Sequence, residues 1–214
     1  MPAAQQIGTL EPGLQAFVDL AQMVELKQKA TLALDDPEGG TIYLVIRGTA
    51  SLVLTHEDDK VVLLNHLRVG DILGEAGLFN TSRITNNTLH LKARTNCVLA
   101  GLPHAEFEAL AASEPLMLIS ICRRLNSRLN ATTHKLACIA FHDVANRVLV
   151  ELKELCRHEG AVTHPDGMQV KLTRQELAMM VPCTREMAGR ALKVLAKQGQ
   201  IQVAGQTIVV HGTR

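Results

Sequence analysis

The segment from Leu172 to Leu195 constrains the fold most strongly, because its pattern encodes two short helices joined by a tight turn. Thr173 and Glu176 fit the S/T-x-x-E capping box, which satisfies free amides at a helix start. Thr184 can cap the second helix in the same way. Two helices that cross like this form a helix-turn-helix, and the second of them fits the major groove of DNA.

The second predicted helix has an apolar face and a charged face. The apolar face consists of Ala188, Ala191, Leu192 and Leu195, and the outward face shows Arg185, Glu186, Gly189 and Arg190. An arginine can read N7 and O6 of guanine, and a glutamate can accept a hydrogen bond from the amino group of cytosine. We therefore predict that Arg185, Glu186 and Arg190 read bases.

Polar residues around this segment suit contacts with DNA phosphates, which set the register without reading the sequence. They are Lys171, Thr173, Arg174, Thr184 and Lys193, with Lys197 as a further candidate. Downstream, Ile201 to Val210 is typical of a strand-turn-strand hairpin that bends at Gly205. Such a hairpin after a helix-turn-helix is a wing.

The charge distribution agrees with a polyanionic partner for the C-terminal half. Residues 1–115 carry 8 Lys or Arg and 14 Asp or Glu, a net charge of −6, whereas residues 116–214 carry 14 and 7, a net charge of +7. An acidic half followed by a basic half suggests two modules, of which the basic one faces a polyanion.

The first half of the sequence has a different pattern of apolar residues from the second. Between Thr41 and Leu102, short β-branched runs alternate with turn signals at roughly 8- to 12-residue spacing, which predicts a β-sandwich or β-roll. Helical periodicity begins after Pro103. The chain is therefore predicted to be an α+β protein.

One long amphipathic helix is predicted between the two modules, from Pro115 to about Phe141. Its apolar residues recur at three- and four-residue steps and form a narrow seam: Leu118, Ile121, Leu125, Leu129, Leu136 and Ile139. A narrow seam favours pairing with a second helix, and hence a homodimer. The alternative is a helix lying along its own β-domain. The seam is interrupted by Arg128, Thr132 and Thr133.

Composition excludes several other classes of protein. No apolar run is long enough for a membrane span, and Met1 to Leu10 does not resemble a signal peptide. The five cysteines are odd in number and widely spaced, which argues against a disulfide framework and against a metal site. This use of cysteine is typical of a protein in the reducing cytoplasm. No Ser-His-Asp arrangement, P-loop, GxGxxG or HExxH occurs, so we predict no catalytic or metal-binding residues.

These motifs resemble the CRP/FNR family of bacterial transcription regulators, especially its cyclic AMP receptor protein branch. The similarity lies in Thr173–Glu176, Cys183–Glu186, Gly189-Arg190, Thr163–Gln169 and Thr207–Arg214, and in Gly48, Gly70-Asp71, Gly74-Glu75 and Gly77–Phe79 of the first half. The resemblance implies three parts: an effector-binding β-roll of the cyclic-nucleotide-binding type over residues 1–114, a dimerisation helix and hinge over 115–141, and a winged helix-turn-helix over 142–214.

The family resemblance also implies partners. It implies a homodimer on double-stranded DNA with a TGTGA-like inverted repeat. It further implies a contact between the RNA polymerase alpha subunit and a loop made of Thr163, His164, Pro165, Asp166 and Gly167, so that activation of transcription is expected. A non-transcriptional cyclic-nucleotide-binding module is the competing class, but it has no use for a winged helix-turn-helix.

The effector site matches the family less well. The resemblance assigns cyclic nucleotide binding to Gly74, Glu75, Ala76, Thr88, Thr132 and Thr133. However, Asn87 occupies the position of the family's phosphate-binding arginine, and Arg83 lies too early in the loop. Three alternatives follow: an altered cyclic AMP site, another effector such as a different nucleotide, or a regulator that needs no small ligand. Haem would need a ligand such as His90 or Cys97.

A second departure lies in the turn of the helix-turn-helix. Pro182 stands where the family has glycine, a position that usually needs a positive φ. Proline fixes φ near −65°. The sequence therefore predicts a different local turn geometry, with DNA binding retained.

Overall fold

The structure, a computed structural model, describes residues 10–34, 40–58, 61–78, 87–157 and 160–213. The chain forms two compact units, Met1–Thr132 and Thr133–Arg214. The division falls within the long helix that the sequence predicts between the two modules.

The first unit contains two four-stranded antiparallel sheets. Its elements are α1 (Gln15–Leu20), β1 (Gln22–Leu26), β2 (Thr31–Ala33), β3 (Thr41–Arg47), β4 (Ala50–His56), β5 (Val61–Leu67), β6 (Ile72–Leu73), α2 (Glu75–Leu78), β7 (Asn87–Ala93), β8 (Cys97–Pro103) and α3 (His104–Ser113). One sheet has the order β1-β8-β3-β6 and the other β2-β7-β4-β5. Residues of the two sheets share a core that includes Val45, Leu52, Leu91 and Leu99. This is the β-roll that the strand spacing predicts.

A second core in this unit joins one sheet to its helices. Phe17 from α1 and Phe107 from α3 are buried here with an edge-to-face contact, their ring centroids 6.2 Å apart. Residues 10–34 thus supply a helix and two strands to this unit.

Helix α4 (Pro115–Phe141) is continuous, but its predicted seam does not lie on one face. Ile121 is buried and Leu125 is half-buried, and both pack in the core that contains Phe17 and Phe107. Leu129 and Leu136 are 63% and 66% exposed. The predicted single seam is therefore wrong in part, because one side of the helix is used by its own β-roll and only the adjoining row stays free.

The second unit is built around a helix-turn-helix. Besides the end of α4, it contains α5 (Val144–Leu155), β9 (Val162–His164), β10 (Gly167–Lys171), α6 (Arg174–Met180), α7 (Arg185–Lys197), β11 (Ile201–Ala204) and β12 (Thr207–His211). The strands form one antiparallel sheet in the order β11-β12-β10-β9. Its wing, β11 and β12, turns at Gly205 as predicted.

The core of the second unit explains why the two helices cross closely. The buried side chains of α7 are Ala188, Ala191, Leu192 and Leu195, the predicted inward face. They are accompanied by Leu177 and Ala178 from α6 and by Val148 and Leu152 from α5. The small alanines allow the helix axes to approach, while the leucines supply apolar area.

Truncation of this core tests the fold of the second unit. Leu177 is fully buried, so Leu177→Ala is expected to lower the free energy of unfolding by about 2–5 kcal/mol. Chemical denaturation monitored by circular dichroism measures the change. Val194→Ala serves as the control, because Val194 is 45% exposed on α7. Equal stabilities of the two variants would contradict the packing described here.

Candidate DNA-binding surface and effector site

The start of α7 presents the three predicted base-reading residues to solvent. Arg185, Glu186 and Arg190 are all exposed, on the side of the helix away from the buried alanines and leucines. Hydrogen bonds from its own backbone amide and from the Thr184 hydroxyl lower the pKa of Glu186, and the neighbouring arginines act in the same direction. Glu186 is therefore a carboxylate, an acceptor suited to an amino group.

Both helices of the motif begin with a threonine cap, as the sequence predicts. Thr173 Oγ1 accepts from the Glu176 amide at 3.1 Å, and Glu176 Oε2 accepts from the Thr173 amide at 2.7 Å, which completes the capping box. Thr184 Oγ1 accepts from the Met187 amide at 3.2 Å. These bonds fix where each helix starts, and helix N-termini are favourable places for phosphate.

The predicted phosphate-contacting residues lie at these helix starts and further along α7. A Cβ atom added at Gly189 would lie 3.6 Å from Cδ of Arg174, so the Arg174 side chain lies against α7. Lys171, Lys193 and Lys197 are exposed at the end of β10 and along α7. The second unit thus carries exposed cations beside the base-reading face.

The turn at Pro182 has its own geometry. Val181, at the end of α6, has φ −114° and ψ 72°, and no described residue from Val181 to Thr184 has a positive φ. The Cys183 amide donates to the Ala178 carbonyl at 3.3 Å. The turn therefore closes without the left-handed residue that glycine supplies in the family which the sequence resembles, and α7 still receives its cap.

The loop implied to contact RNA polymerase is a hairpin turn on the same sheet as the wing. Thr163 and His164 end β9, Pro165 and Asp166 form the turn, and Gly167 begins β10. Thr163, Pro165 and Asp166 are exposed. His164 Nδ1 accepts from the Asp166 amide at 3.3 Å, which stabilises the turn. The hairpin is therefore an ordered and accessible surface.

In the first unit, Gly74 and Glu75 form a corner between β6 and α2. Gly74 has φ +85°, and a Cβ atom there would lie 2.1 Å from the Thr41 carbonyl oxygen. Only glycine fits this position. His104 Nε2 lies 3.1 Å from the Gly74 carbonyl oxygen and holds the corner from α3. Ala76 follows on α2 and is exposed.

Arg128 of α4 is a residue of this site that the sequence analysis missed. Its guanidinium donates to the Glu75 carboxylate and, at 2.8 Å, to the Ile72 carbonyl. Arg128 appeared in the sequence only as an interruption of the apolar seam. The signal was present, because Arg128 and Thr132 are one helical turn apart and so share a side of α4.

The three threonines predicted for the effector site occupy different elements. Thr88 is exposed on β7, opposite Thr55. Thr132 Oγ1 accepts from Asn65 Nδ2 at 3.1 Å and donates to the Arg128 carbonyl at 2.9 Å. Thr133, the next residue of α4, is exposed. The structure thus brings Glu75, Arg128 and Thr132 onto one connected set of contacts.

The remaining arginine of the effector loop lies outside the described residues. Arg83 is in the segment 79–86, and Asn87 is the first residue of β7.

Among the residues that the structure describes, no group of three or more His, Cys, Asp or Glu could hold a metal ion. No helix in the described ranges is long and apolar enough to cross a membrane.

The fold and these surfaces define a class of protein, a DNA-binding regulator with a sensory β-roll. Comparison with known families agrees for both parts. Residues 23–114 match the cyclic nucleotide-binding domain, and residues 146–213 match the Crp-like helix-turn-helix domain.

Comparison with proteins that match nearly the whole chain identifies the family within this class. The chain is 36% identical over 210 residues, 98% of its length and 100% of the relative, to the cAMP-activated global transcriptional regulator CRP of Pasteurella multocida. It is 36% identical over 187 residues, 87% of each chain, to the cAMP-activated global transcriptional regulator Vfr of Pseudomonas aeruginosa. The solved structure of CLP, a c-di-GMP responsive global regulator of Xanthomonas campestris, has a TM-score of 0.83 and 33% identity, covering 94% of this chain and 99% of that one.

The chain therefore belongs to the CRP/FNR family of transcription regulators. It is a DNA-binding transcription regulator with a cyclic-nucleotide-binding type of domain and not an enzyme. Regulators of this family function as dimers.

Proposed function

We propose that this protein binds a TGTGA-like inverted repeat as a homodimer and regulates transcription from it. The observation that carries the proposal is the exposed face of α7, on which Arg185, Glu186 and Arg190 stand beside one another. Two arginines suit the two guanines of the half-site, and the carboxylate suits a cytosine of the complementary strand. The exposed lysines then hold the phosphates.

Fluorescence anisotropy tests this directly. A labelled TGTGA-N6-TCACA duplex and a scrambled duplex of equal length are titrated at one salt concentration, with and without cyclic AMP. We expect the palindrome to bind at least 10³-fold more tightly than the scrambled duplex under one of the two conditions. Equal affinities for both duplexes, with and without the nucleotide, would overturn the assignment of the base-reading residues.

We further propose that α4 pairs with α4 of a second copy. Residues at alternating steps of four and three follow a heptad pattern along the free side of the helix: Leu118, Cys122, Leu125, Leu129, Thr132, Leu136 and Ile139. Except for the half-buried Leu125, all of them are exposed in the single chain. Heptads of this kind bury their apolar positions against a partner helix.

Cross-linking tests both the pairing and its direction. Parallel helices in register place each heptad residue opposite its own copy, so exposed Cys122 should face Cys122 of the second copy. Mild oxidation is expected to yield a covalent dimer on a non-reducing gel, and Cys122→Ser should abolish it. A covalent dimer that persists in Cys122→Ser would contradict the parallel register.

For the effector, we propose a cyclic nucleotide at the Gly74–Glu75 corner, with cyclic AMP as the first candidate. Glu75 can accept from a ribose hydroxyl, and Arg128 supplies a cation in a site where Asn87 replaces the family's arginine. The relatives CRP and Vfr are named as cAMP-activated. CLP is described as c-di-GMP responsive, which makes cyclic di-GMP the second candidate.

Calorimetry distinguishes these effectors. If cyclic AMP binds through the corner, Glu75→Gln is expected to weaken it at least tenfold, because a charge-assisted hydrogen bond is lost. Glu25→Gln on β1 is the control, since Glu25 is exposed and outside the site. If only cyclic di-GMP binds, the effector is cyclic di-GMP and not cyclic AMP. If neither nucleotide binds, the result favours a regulator that needs no small ligand.

Two further proposals concern the polymerase partner of this regulator and its cellular compartment. The accessible Thr163–Gly167 hairpin supports a contact with the RNA polymerase alpha subunit, and hence activation from upstream sites. All five cysteines are free thiols, which supports a reducing compartment, and we place the protein in the cytoplasm.

A further inference from the structure

The first unit contains a cavity of about 320 Å³ that is separate from the predicted effector residues. It lies between the β5–β6 connection and α4 and is lined chiefly by charged side chains: Glu11, Arg68, Asp71, Arg123, Arg124 and Arg128. None of the six residues predicted to bind the effector lines it, but Arg128, which pairs with Glu75, borders both sites. The other charged residues of the cavity belong to neither of the sites described above.

The cavity carries an excess of positive charge. Four arginines and two acidic residues line it, and Glu75 pairs with Arg128 from outside the lining, so the arginines exceed the carboxylates by one. Arg124 Nη2 pairs with Glu11 Oε1 at 3.1 Å, and Arg128 is engaged with Glu75. Burial raises the pKa of Asp71, and this outweighs the lowering effect of the Arg68 amide and of the arginines around it. Arg68 and Arg123 are exposed at the cavity, so their guanidinium groups are accessible to a ligand.

Two buried polar atoms at the cavity have no hydrogen-bond partner among the described residues. They are the donor Nε of Arg124 and the acceptor Oε2 of Glu11. A buried polar group without a hydrogen-bond partner is unfavourable, and in folded proteins such groups are nearly always paired with the protein, an ordered water or a bound ion. A ligand that both accepts and donates hydrogen bonds would satisfy both atoms.

The turn next to the cavity holds the central arginine in place. Gly70 has φ +90°, and a Cβ atom there would lie 2.8 Å from Nη2 of Arg124. The turn is closed by the Arg68 amide, which donates to Asp71 Oδ2 at 2.8 Å. The guanidinium of Arg124 is thus packed against a rigid turn rather than free to move, as a preorganised site requires.

We propose that this cavity binds a phosphate monoester of mononucleotide size as a second small-molecule site. Guanidinium groups match phosphate oxygens bidentately, and the exposed Arg68 and Arg123 supply two positive charges to a monoester, which carries about −1.5 to −2 at pH 7. Glu11 then accepts from a hydroxyl or amino group of the ligand. The volume lies at the lower end of the usual range for ligand pockets, about 300–1,000 Å³.

Isothermal titration calorimetry on the full chain tests the site, with 5′-AMP as the probe and adenosine as the phosphate-free control. We expect saturable 5′-AMP binding, one per protomer, and no adenosine binding. Arg68→Gln and Arg123→Gln should each weaken 5′-AMP at least tenfold, because each removes a charge-assisted contact. Arg47→Gln on β3, also an exposed arginine, should change the affinity less than twofold.

Three results would overturn the proposal: no 5′-AMP binding at millimolar concentration, unchanged affinity in both arginine variants, or full displacement by cyclic AMP. The last would mean that the probe occupies the Gly74–Glu75 corner. Because the altered arginines are exposed, an unchanged melting temperature and unchanged binding to the TGTGA duplex are expected. Operator binding is measured separately, so failure of this site is distinguishable from failure of the proposed DNA function.

Discussion

Arg185→Ala and Arg190→Ala are each expected to weaken binding to the TGTGA palindrome by about 30- to 20,000-fold. A bidentate contact to guanine contributes about 1–3 kcal/mol of discrimination, and a homodimer on a palindrome loses it twice. Both side chains are exposed on α7, outside the core of the second unit, so folding should be unaffected. Anisotropy titrations at fixed salt measure the loss.

Comparison with Lys197→Ala separates base recognition from nonspecific electrostatic binding to the DNA phosphates. Lys197 is exposed at the end of α7. Loss of Lys197 should weaken binding to the TGTGA duplex and to random DNA alike. It should also reduce the salt dependence of binding by about one phosphate contact. If the arginine variants also lost affinity equally for both duplexes, Arg185 and Arg190 would be phosphate contacts and not base readers.

Leu129→Glu together with Leu136→Glu is expected to convert the protein into a monomer and to weaken binding to the palindrome by about 10²–10⁴-fold. Both leucines belong to the exposed heptad row of α4 and are more than 60% exposed in the single chain. Facing carboxylates would repel each other along the seam. The loss of affinity follows because two linked half-site contacts act as one bivalent interaction.

Sedimentation velocity measures the oligomeric state, and anisotropy measures the DNA affinity. Leu116→Glu is the matched control, because Leu116 lies on the same helix and is 67% exposed but stands outside the heptad row. This variant should remain a dimer. A dimeric double variant would show that another surface joins the two copies.

The helix-turn-helix was predictable because its determinants are local. Thr173, Glu176 and Thr184 cap helices through bonds that span three residues, and the alanine and leucine spacing sets the buried face of α7. The wing depends on two adjacent strands and a glycine turn. Each of these features can be recognised in a short window of the sequence.

The division of α4 was not predictable from periodicity. A helix with apolar residues at three- and four-residue steps has neighbouring rows, and the sequence does not state which row its own sheet covers. In the structure Ile121 is buried in the β-roll, whereas Leu129 is exposed. The rotation of the helix against the sheet decides between them.

The sequence alone therefore determined the winged helix-turn-helix and the strand-rich first half, since local hydrogen bonds and residue periodicity dictate them. Tertiary structure decided the pairing of Arg128 with Glu75 and the grouping of Arg68 with Arg123 and Arg124 around one cavity. These groups come from segments far apart in the chain. Their distances depend on how helix α4 packs against the β-roll, which is set by the shape of the whole core.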